Sequence, residues 1–312
     1  MDNRTETRDF LSTRRAKITP EQAGLPAYGG NRRVPGLRRG EVAMLAGVSV
    51  EYYTRLERGN LSGASDSVLE SLANALQLDE AERAHLYDLA RAASEGGRPR
   101  RRPARKQAIR AGVQLTLDAI TNSPAIVRNG RLDILASNAL GRALYSDLYS
   151  GQDGNSAEPP NLARYLFFDE RSHAFYPDWE RAANDTVAIM RTEAGRDPYD
   201  RGLTDLVGEL STRSEEFRVR WAAHNVRQHY TGKKFFRHPI VGELHMLYEA
   251  MEFAADTGLT LTVYNGEPDT PTADAFRLLA SWAATMQQPD ASLNQKSRLG
   301  ELVTDEEYGH PA

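Results

Sequence analysis

Residues 38–59 are the stretch that most constrains how this chain can fold. Its first half has an apolar stripe at helical spacing, formed by Val42, Leu45 and Ala46. Gly47 then stands where a helix needs a left-handed C-cap, and Ser49 stands where a second helix needs an N-cap. The second half has its own inner stripe, formed by Val50, Tyr53 and Leu56. Two short helices set at an angle by a glycine turn predict a helix-turn-helix.

A helix-turn-helix lays its second helix in the major groove, so we expect this chain to bind DNA. The residues expected to face base edges or the nearby backbone are Ser49, Val50, Glu51, Tyr52 and Arg55. Arginine can bond guanine, glutamate can accept from a cytosine amine, and valine can touch a thymine methyl. The alternative for Glu51 and Arg55 is a surface ion pair of little energetic value, because they are four residues apart on one helix.

Other arginines near the motif are candidates for the phosphate backbone rather than for bases. Those flanking the two helices are Arg38, Arg39 and Arg58. Arg32 and Arg33 lie in a long loop that precedes the first helix of the motif. They either remain solvated or reach an adjacent minor groove and its phosphates.

The motif resembles known regulators. The letters AMLAGVS at 43–49 and LERG at 56–59 resemble the Xre/Cro-type helix-turn-helix. More narrowly, LRR at 37–39, EVA at 41–43 and VSVEYYTRLE at 48–57 resemble the MmyB-like bacterial transcription regulators. The resemblance spans about Phe10 to about Trp282. It departs at Gly40, where we expect an acidic helix former, and a glycine there costs roughly 1 kcal/mol.

The resemblance implies a two-part protein. MmyB-like regulators pair an Xre-type domain with a C-terminal PAS-like ligand-binding domain, and their members are thought to bind fatty-acid-like molecules. We therefore expect an all-α helix-turn-helix domain followed by an α+β PAS-like domain with a five-stranded antiparallel sheet.

Composition agrees with a two-domain intracellular regulator. Residues 1–107 hold 19 basic and 14 acidic residues, a balance of +5, whereas residues 108–312 hold 20 and 29, a balance of −9. A basic N-terminal part is expected if only that part touches phosphate. The chain has no cysteine, no signal-peptide core and no long apolar run, which favours a cytoplasmic location without membrane attachment.

Segments rich in glycine and proline, and changes in composition, give the expected domain boundaries. They are a helix-turn-helix domain at 1–95, a basic linker at 96–107, a ligand-binding domain at 108–290 and a disordered tail at 291–312. In the linker, glycines, prolines and six basic residues disfavour regular structure, so it is either solvated or follows DNA phosphates.

Patterns in the second half predict its α+β character. Residues 125–135 predict a hairpin with Asn129-Gly130 at its turn, followed by a helix capped by Ser137. Helices are expected near 161–168, 175–195, 200–212 and 214–226. Strands are expected at 229–236, 242–253 and 259–265, and a last helix begins at Pro271 after Thr270.

Several residues of this half are ligand candidates. The expected apolar wall consists of Phe167, Phe168, Trp179, Met190 and Trp221, and the expected polar anchors are Arg220 and His224. The alternative is that the apolar residues are ordinary core and that the two polar residues form a surface network.

No catalytic motif, cofactor loop or metal-ligand spacing is found in the sequence, so we do not expect an enzyme. We expect a transcription regulator that binds a palindromic operator as a homodimer and senses a small, mainly apolar ligand. A second reading makes the C-terminal domain a ligand-free dimerisation or protein-interaction module.

Overall fold

A computed structural model describes residues 2–26, 36–94, 109–150, 158–226 and 229–287. The N-terminal part is helical, as predicted. Its helices are α1 (Asn3–Lys17), α2 (Arg39–Leu45), α3 (Val50–Glu57), α4 (Asp66–Ala75) and α5 (Glu80–Ser94). The first helix begins at Asn3, because the Asp2 side chain accepts a hydrogen bond from the backbone N–H of Arg4 and caps the helix.

One apolar core holds these five helices together. Fully buried members from each helix are Phe10, Leu11, Val42, Tyr53, Leu56, Leu72, Leu86 and Leu89. Val226, from the C-terminal half of the chain, is buried in the same core. The helical region is therefore packed against the C-terminal half of the chain.

The C-terminal part is an α+β domain around one antiparallel sheet. Its strands are β1 (Ala125–Asn129), β2 (Ile134–Ser137), β3 (Thr231–His238), β4 (Gly242–Glu252) and β5 (Leu259–Asn265). They lie in the order β2-β1-β5-β4-β3, which confirms the predicted five-stranded antiparallel sheet.

Helices cover the sheet unequally on its two faces. On the outer face α6 (Ala111–Ala119) packs Val113 and Leu117 against β1 and β5. The inner face packs against α7 (Ala139–Leu144) and α14 (Pro271–Gln287). The remaining helices are α8 (Ser146–Tyr149), α9 (Leu162–Phe168), α10 (Arg171–Phe175), α11 (Trp179–Arg196), α12 (Arg201–Arg213) and α13 (Glu215–Ala222).

Two local expectations are corrected by the structure. Asn138, not Ser137, caps α7: its Oδ1 accepts from the N–H of Gly141 at 2.7 Å and from that of Ala125 at 2.9 Å. The helix expected at 175–195 begins only at Trp179, as α11, where the Asp178 side chain accepts a hydrogen bond from the N–H of Arg181 and caps it.

Some expectations concern residues outside the described ranges. They are Arg32 and Arg33, the linker at 96–107 and the tail at 291–312. Within the described ranges, none of the helices is long and apolar enough to cross a membrane.

Candidate DNA-binding and ligand sites

The turn between α2 and α3 has the predicted geometry. Gly47 adopts a positive φ of 65°, a conformation that favours glycine, and the N–H of Val48 returns to the carbonyl of Ala43 at 2.9 Å. The Ser49 hydroxyl accepts from the N–H of Tyr52 at 3.1 Å, so Ser49 is the N-cap of α3. Tyr53 is fully buried, which confirms its predicted core position.

The outer face of α3 is free to meet a groove. Val50 is 45% exposed, so the expectation that it belongs to the inner stripe of this helix was wrong, and Glu51 and Arg55 are exposed beside it. The Arg55 guanidinium lies over the Tyr52 ring, 4.7 Å from its centroid. In the described part of the chain it makes no ion pair with Glu51, so its donors remain available for a base edge. This arrangement supports the groove-facing reading over the surface ion pair.

The Glu57 carboxylate is a buried junction beneath the motif. It accepts hydrogen bonds from Arg15, at 2.6 Å, from Arg39, and from the Tyr53 hydroxyl at 3.3 Å. Burial alone would raise the pKa of Glu57, but the hydrogen bonds from Arg15 and Arg39 outweigh burial and hold that pKa below its usual range. The junction ties α1, α2 and α3 together.

The predicted phosphate residues lie in different settings. The Arg39 side chain is half exposed, and its guanidinium pairs with the buried Glu57 carboxylate. Arg39 therefore stabilises the fold whether or not it contacts DNA. Arg38 and Arg58 are exposed. Arg38 is the N-cap residue of α2, and its backbone N–H donates to the Glu41 carboxylate at 2.7 Å. Contact of any of these three with phosphate stays a prediction.

Arg4 is a residue at this face that the sequence pattern missed. A cleft of about 400 Å³ separates the start of α1 from α3. Its lining consists of Arg4, Val50, Glu51, Thr54, Arg55, Arg58 and Asn60. The close approach depends on Gly59, whose φ is 91° and where a Cβ would lie 2.1 Å from the Arg4 carbonyl oxygen. In the sequence, Gly59 at the end of LERG was the only sign that another segment approaches this turn closely.

The predicted apolar wall forms one packed aromatic cluster. Phe167 makes edge contacts with Trp179, at a centroid distance of 5.8 Å, and with Phe217 at 5.2 Å. Phe217 stacks on Trp221 at 5.5 Å. Met190 is fully buried in the same region. The structure thus brings the predicted wall together, and Phe217 is a central member that the prediction left out.

The two predicted polar anchors are already engaged with other side chains. Arg220 pairs with Glu180 and lies over the Trp179 ring at 5.2 Å. Nδ1 of His224 lies 2.9 Å from Nη1 of Arg191. The expectation that either residue holds the polar end of a ligand stays a prediction.

A second cleft, of about 640 Å³, lies beside α8, α9 and α10. Its charged lining residues are Asp147, Glu158, Arg164, Asp169, Glu170 and Arg171. Phe168 also lines it, whereas the other members of the predicted wall do not. Its charged rim differs from the mainly apolar pocket that we expected.

Buried charges join the helical region to the α+β domain. Oε1 of Glu6 in α1 accepts from Nη1 of Arg191 in α11, and these side chains are 6% and 0% exposed. The same oxygen lies 3.5 Å from Nδ1 of His224 and 3.8 Å from Nε2 of His85. We call Glu6, His85, Arg191 and His224 the Glu6 ion cluster.

The Glu6 ion cluster is held by charge and close packing. Burial would raise the pKa of Glu6, but the two imidazoles and Arg191 keep that pKa far below its usual range. Arg191 also lies over the Trp221 ring at 3.8 Å. Gly195 lets α5 approach α11, since a Cβ there would lie 2.4 Å from the His85 ring. The cluster therefore reaches from the helix-turn-helix core to the aromatic cluster.

A second link runs beside the Glu6 ion cluster. Arg14 of α1 donates to the carbonyl of His224 and pairs with Glu82. Nζ of Lys17 donates to Oδ1 of Asn225 at 2.7 Å. Both halves of the chain therefore share hydrogen bonds at the segment that follows α13.

Comparison with known families agrees with this two-part geometry. Residues 109–279, more than half of the chain, match the family model described as the MmyB-like transcription regulator ligand binding domain. Residues 13–86 match a helix-turn-helix domain model. These are domains of transcription regulators and not of enzymes. No match with a curated protein was found.

Proposed function

Since this chain belongs to the MmyB-like transcription regulators, we propose that it binds a palindromic operator as a homodimer and that a small, mainly apolar, fatty-acid-like molecule controls this binding. That the chain is a DNA-binding regulator with a ligand-binding domain follows from its two matched families. The proposal adds the form of the operator, the oligomeric state, the ligand class and the route between the two sites.

The observation that carries the proposal is the buried contact between the two halves. A ligand can change DNA affinity only if it favours one arrangement of the protein over another. Arg191 touches both Glu6 of the helical region and Trp221 of the aromatic cluster. A molecule that binds beside Trp221 would therefore act on Arg191, whose guanidinium forms the ion pair with Glu6 of α1.

The chemistry of the aromatic cluster supports an apolar ligand. Its half-buried members, among them Phe167, Phe168 and Trp221, pack around α11 and α12. Apolar and aromatic side chains with few polar groups are typical of small-molecule sites. A cytoplasmic location follows as part of the proposal, because operator DNA is there.

The test measures DNA binding with and without ligand. An operator selected from random DNA is titrated with the full chain by fluorescence anisotropy, in the absence and presence of tetradecanoic acid. Mass spectrometry of an organic extract of the purified protein identifies any lipid it carries. We expect the acid to change the Kd for operator severalfold and not to change the Kd for unrelated DNA.

Two outcomes would redirect the interpretation. If the extract holds no lipid and no fatty acid changes the Kd, the C-terminal domain is better explained as a ligand-free dimerisation or interaction module. If the chain shows no sequence preference in the selection, the operator part of the proposal fails as well.

A further inference from the structure

The cleft between the start of α1 and α3 is bordered mainly by cations. Among the described residues that line it, Arg4, Arg55 and Arg58 are basic and Glu51 is acidic, and all four are exposed. In the described part of the chain the guanidinium groups of Arg4 and Arg58 form no ion pair. The protein therefore leaves these two charges at the cleft without a partner of its own.

The backbone fixes Arg4 beside Arg58. Gly59 directly follows Arg58 and adopts a φ of 91°, and a Cβ there would lie 2.1 Å from the carbonyl oxygen of Arg4. The N–H of Gly59 donates to the carbonyl of Leu56 at 2.9 Å, which closes the turn at the end of α3. Because the two backbones touch at Gly59, the side chains of Arg4 and Arg58 enter the same cleft from neighbouring points.

The positive charge is concentrated at one end of the cleft. Glu51 stands seven positions before Arg58, which corresponds to about 10 Å along a helix axis. Asn60, which also lines the cleft, has an amide with two N–H donors. An anion at the Arg58 end would therefore lie beside two guanidinium groups and an amide, with the Glu51 carboxylate at the opposite end.

The location of the cleft indicates which anion it receives. Val50, Glu51 and Arg55 belong to the outer face of α3 and line the same cleft. Phosphate backbones form the edges of the groove that such a helix enters, so DNA bound to α3 brings phosphates to the ends of this helix. Guanidinium groups suit phosphate, because their N–H groups can donate two parallel hydrogen bonds to its oxygens.

We propose that Arg4 and Arg58 together bind one phosphate of the DNA backbone in this cleft, which makes the first turn of α1 a DNA contact outside the helix-turn-helix. Arg4 precedes residues 13–86, which match the helix-turn-helix domain model. The inference rests on the proposed operator binding and deepens it.

The opposite face of the same helical turn holds the α+β domain. Arg4 and Glu6 are two positions apart, so their side chains leave α1 about 200° apart around its axis. Arg4 is exposed at the cleft, whereas Glu6 is 6% exposed and pairs with Arg191 of α11. A phosphate at Arg4 is therefore one helical turn away from the Glu6 ion cluster.

The first experiment measures the salt dependence of DNA binding. The Kd of the full chain for a selected operator and for unrelated DNA is measured by fluorescence anisotropy at several salt concentrations. Arg4→Ala should weaken binding to both duplexes severalfold and reduce the slope of log Kd against log salt concentration by about one, because one phosphate contact is lost. The control is Arg8→Ala, which should keep the wild-type slope. Arg8 lies one turn further along α1, pairs with Asp9 and does not line the cleft.

The second experiment locates the phosphate. Each phosphate of the operator is replaced in turn by an uncharged methylphosphonate. At one phosphate for each bound copy, the loss of affinity seen with the wild-type chain should disappear in both Arg4→Ala and Arg58→Ala, because both guanidinium groups bind that phosphate. Arg4→Lys keeps the charge without the planar fork, so it should keep a reduced sensitivity at the same phosphate.

Thermal unfolding separates a DNA contact from a structural residue. The Arg4 side chain is exposed, so Arg4→Ala should leave the Tm of the DNA-free protein unchanged. A fall of several degrees would overturn the assignment, since it would make Arg4 structural.

The outcomes distinguish this inference from the function on which it rests. If Arg4→Ala keeps the wild-type salt slope, or if every methylphosphonate affects it as it affects the wild-type chain, the phosphate site is overturned and DNA binding by α3 stands. Equal slope changes in Arg4→Ala and Arg8→Ala would also overturn the site, because net charge would then explain them. If the wild-type chain binds neither duplex, the DNA-binding function itself fails.

Discussion

Glu6 of α1 and Arg191 of α11 form a buried ion pair 185 residues apart in sequence, and this pair connects the DNA-binding helices to the ligand-binding domain. Both side chains have neighbours that depend on them: His85 and His224 face the carboxylate, and Trp221 faces the guanidinium. A substitution of either partner should therefore disturb contacts in both the helical region and the ligand-binding domain.

Removing one partner of this pair should be costly. Arg191→Ala should lower the free energy of unfolding by about 3–5 kcal/mol, because it leaves the Glu6 carboxylate buried and unpaired. Urea denaturation measures this change. Arg277→Ala, which removes an exposed pair with Asp274, should cost less than about 1 kcal/mol. Equal effects of the two variants would contradict a structural role for the Glu6 ion cluster.

Coupling between the sites should depend on the same pair. With Glu6→Gln, which keeps the shape but removes the charge, we expect a fatty acid to change the Kd for operator less than in the wild-type protein. Linkage requires a contact that differs between the two states, and the substitution weakens that contact. Anisotropy titrations measure it. An unchanged ligand effect in a folded Glu6→Gln protein would show that coupling runs elsewhere.

The Glu57 junction predicts acid sensitivity with a definite sign. The pKa of Glu57 is lower in the folded protein than its usual value of 4.5. Its contribution to stability is therefore complete above pH 4.5 and is lost as the pH falls from there through the folded pKa. Urea unfolding from neutral pH to below 4.5 should show a smaller loss in Glu57→Gln than in wild type. Parallel curves for the two proteins would speak against this assignment.

Base recognition should depend on Arg55. Arg55→Ala should weaken specific binding by roughly 1–3 kcal/mol and relax the preference at one position of each half-site. The control is Arg58→Ala, which should weaken all sequences about equally and reduce the salt slope by about one. Arg39 serves less well here, because it also holds Glu57. An Arg55→Ala protein with unchanged sequence preference would rule out base contact.

Symmetry of the complex is a separate prediction. One small helix-turn-helix reads few base pairs, so we expect two copies on half-sites separated by roughly 34 Å, or a multiple of it. Analytical ultracentrifugation gives the mass of the complex, and footprinting gives the spacing of protected bases. A monomer that protects one half-site would contradict the dimer.

Local features of this fold follow directly from the sequence. The positive φ at Gly47, the Ser49 cap and the buried Tyr53 were all predicted, because caps and helix faces depend on residues three or four positions apart. The strand expected at 259–265 and the Pro271 start of α14 were confirmed for the same reason. The prediction that Ser137 caps α7 was wrong. Serine and asparagine both cap helices, and Asn138 caps this one because its Oδ1 accepts hydrogen bonds from the N–H groups of both Gly141 and Ala125.

Tertiary packing decided what the sequence left open. No spacing rule places Glu6 beside Arg191, or Gly195 against His85, because each pair joins elements far apart in the chain. The strand ranges predicted from the sequence indicated neither that the inner face of the sheet is covered by helices nor that Arg128 and Thr262 are buried on it. The sequence by itself determined the helix-turn-helix and the approximate ranges of the strands through short-range periodicity, whereas strand order, burial and charge pairing arose only when distant elements packed together.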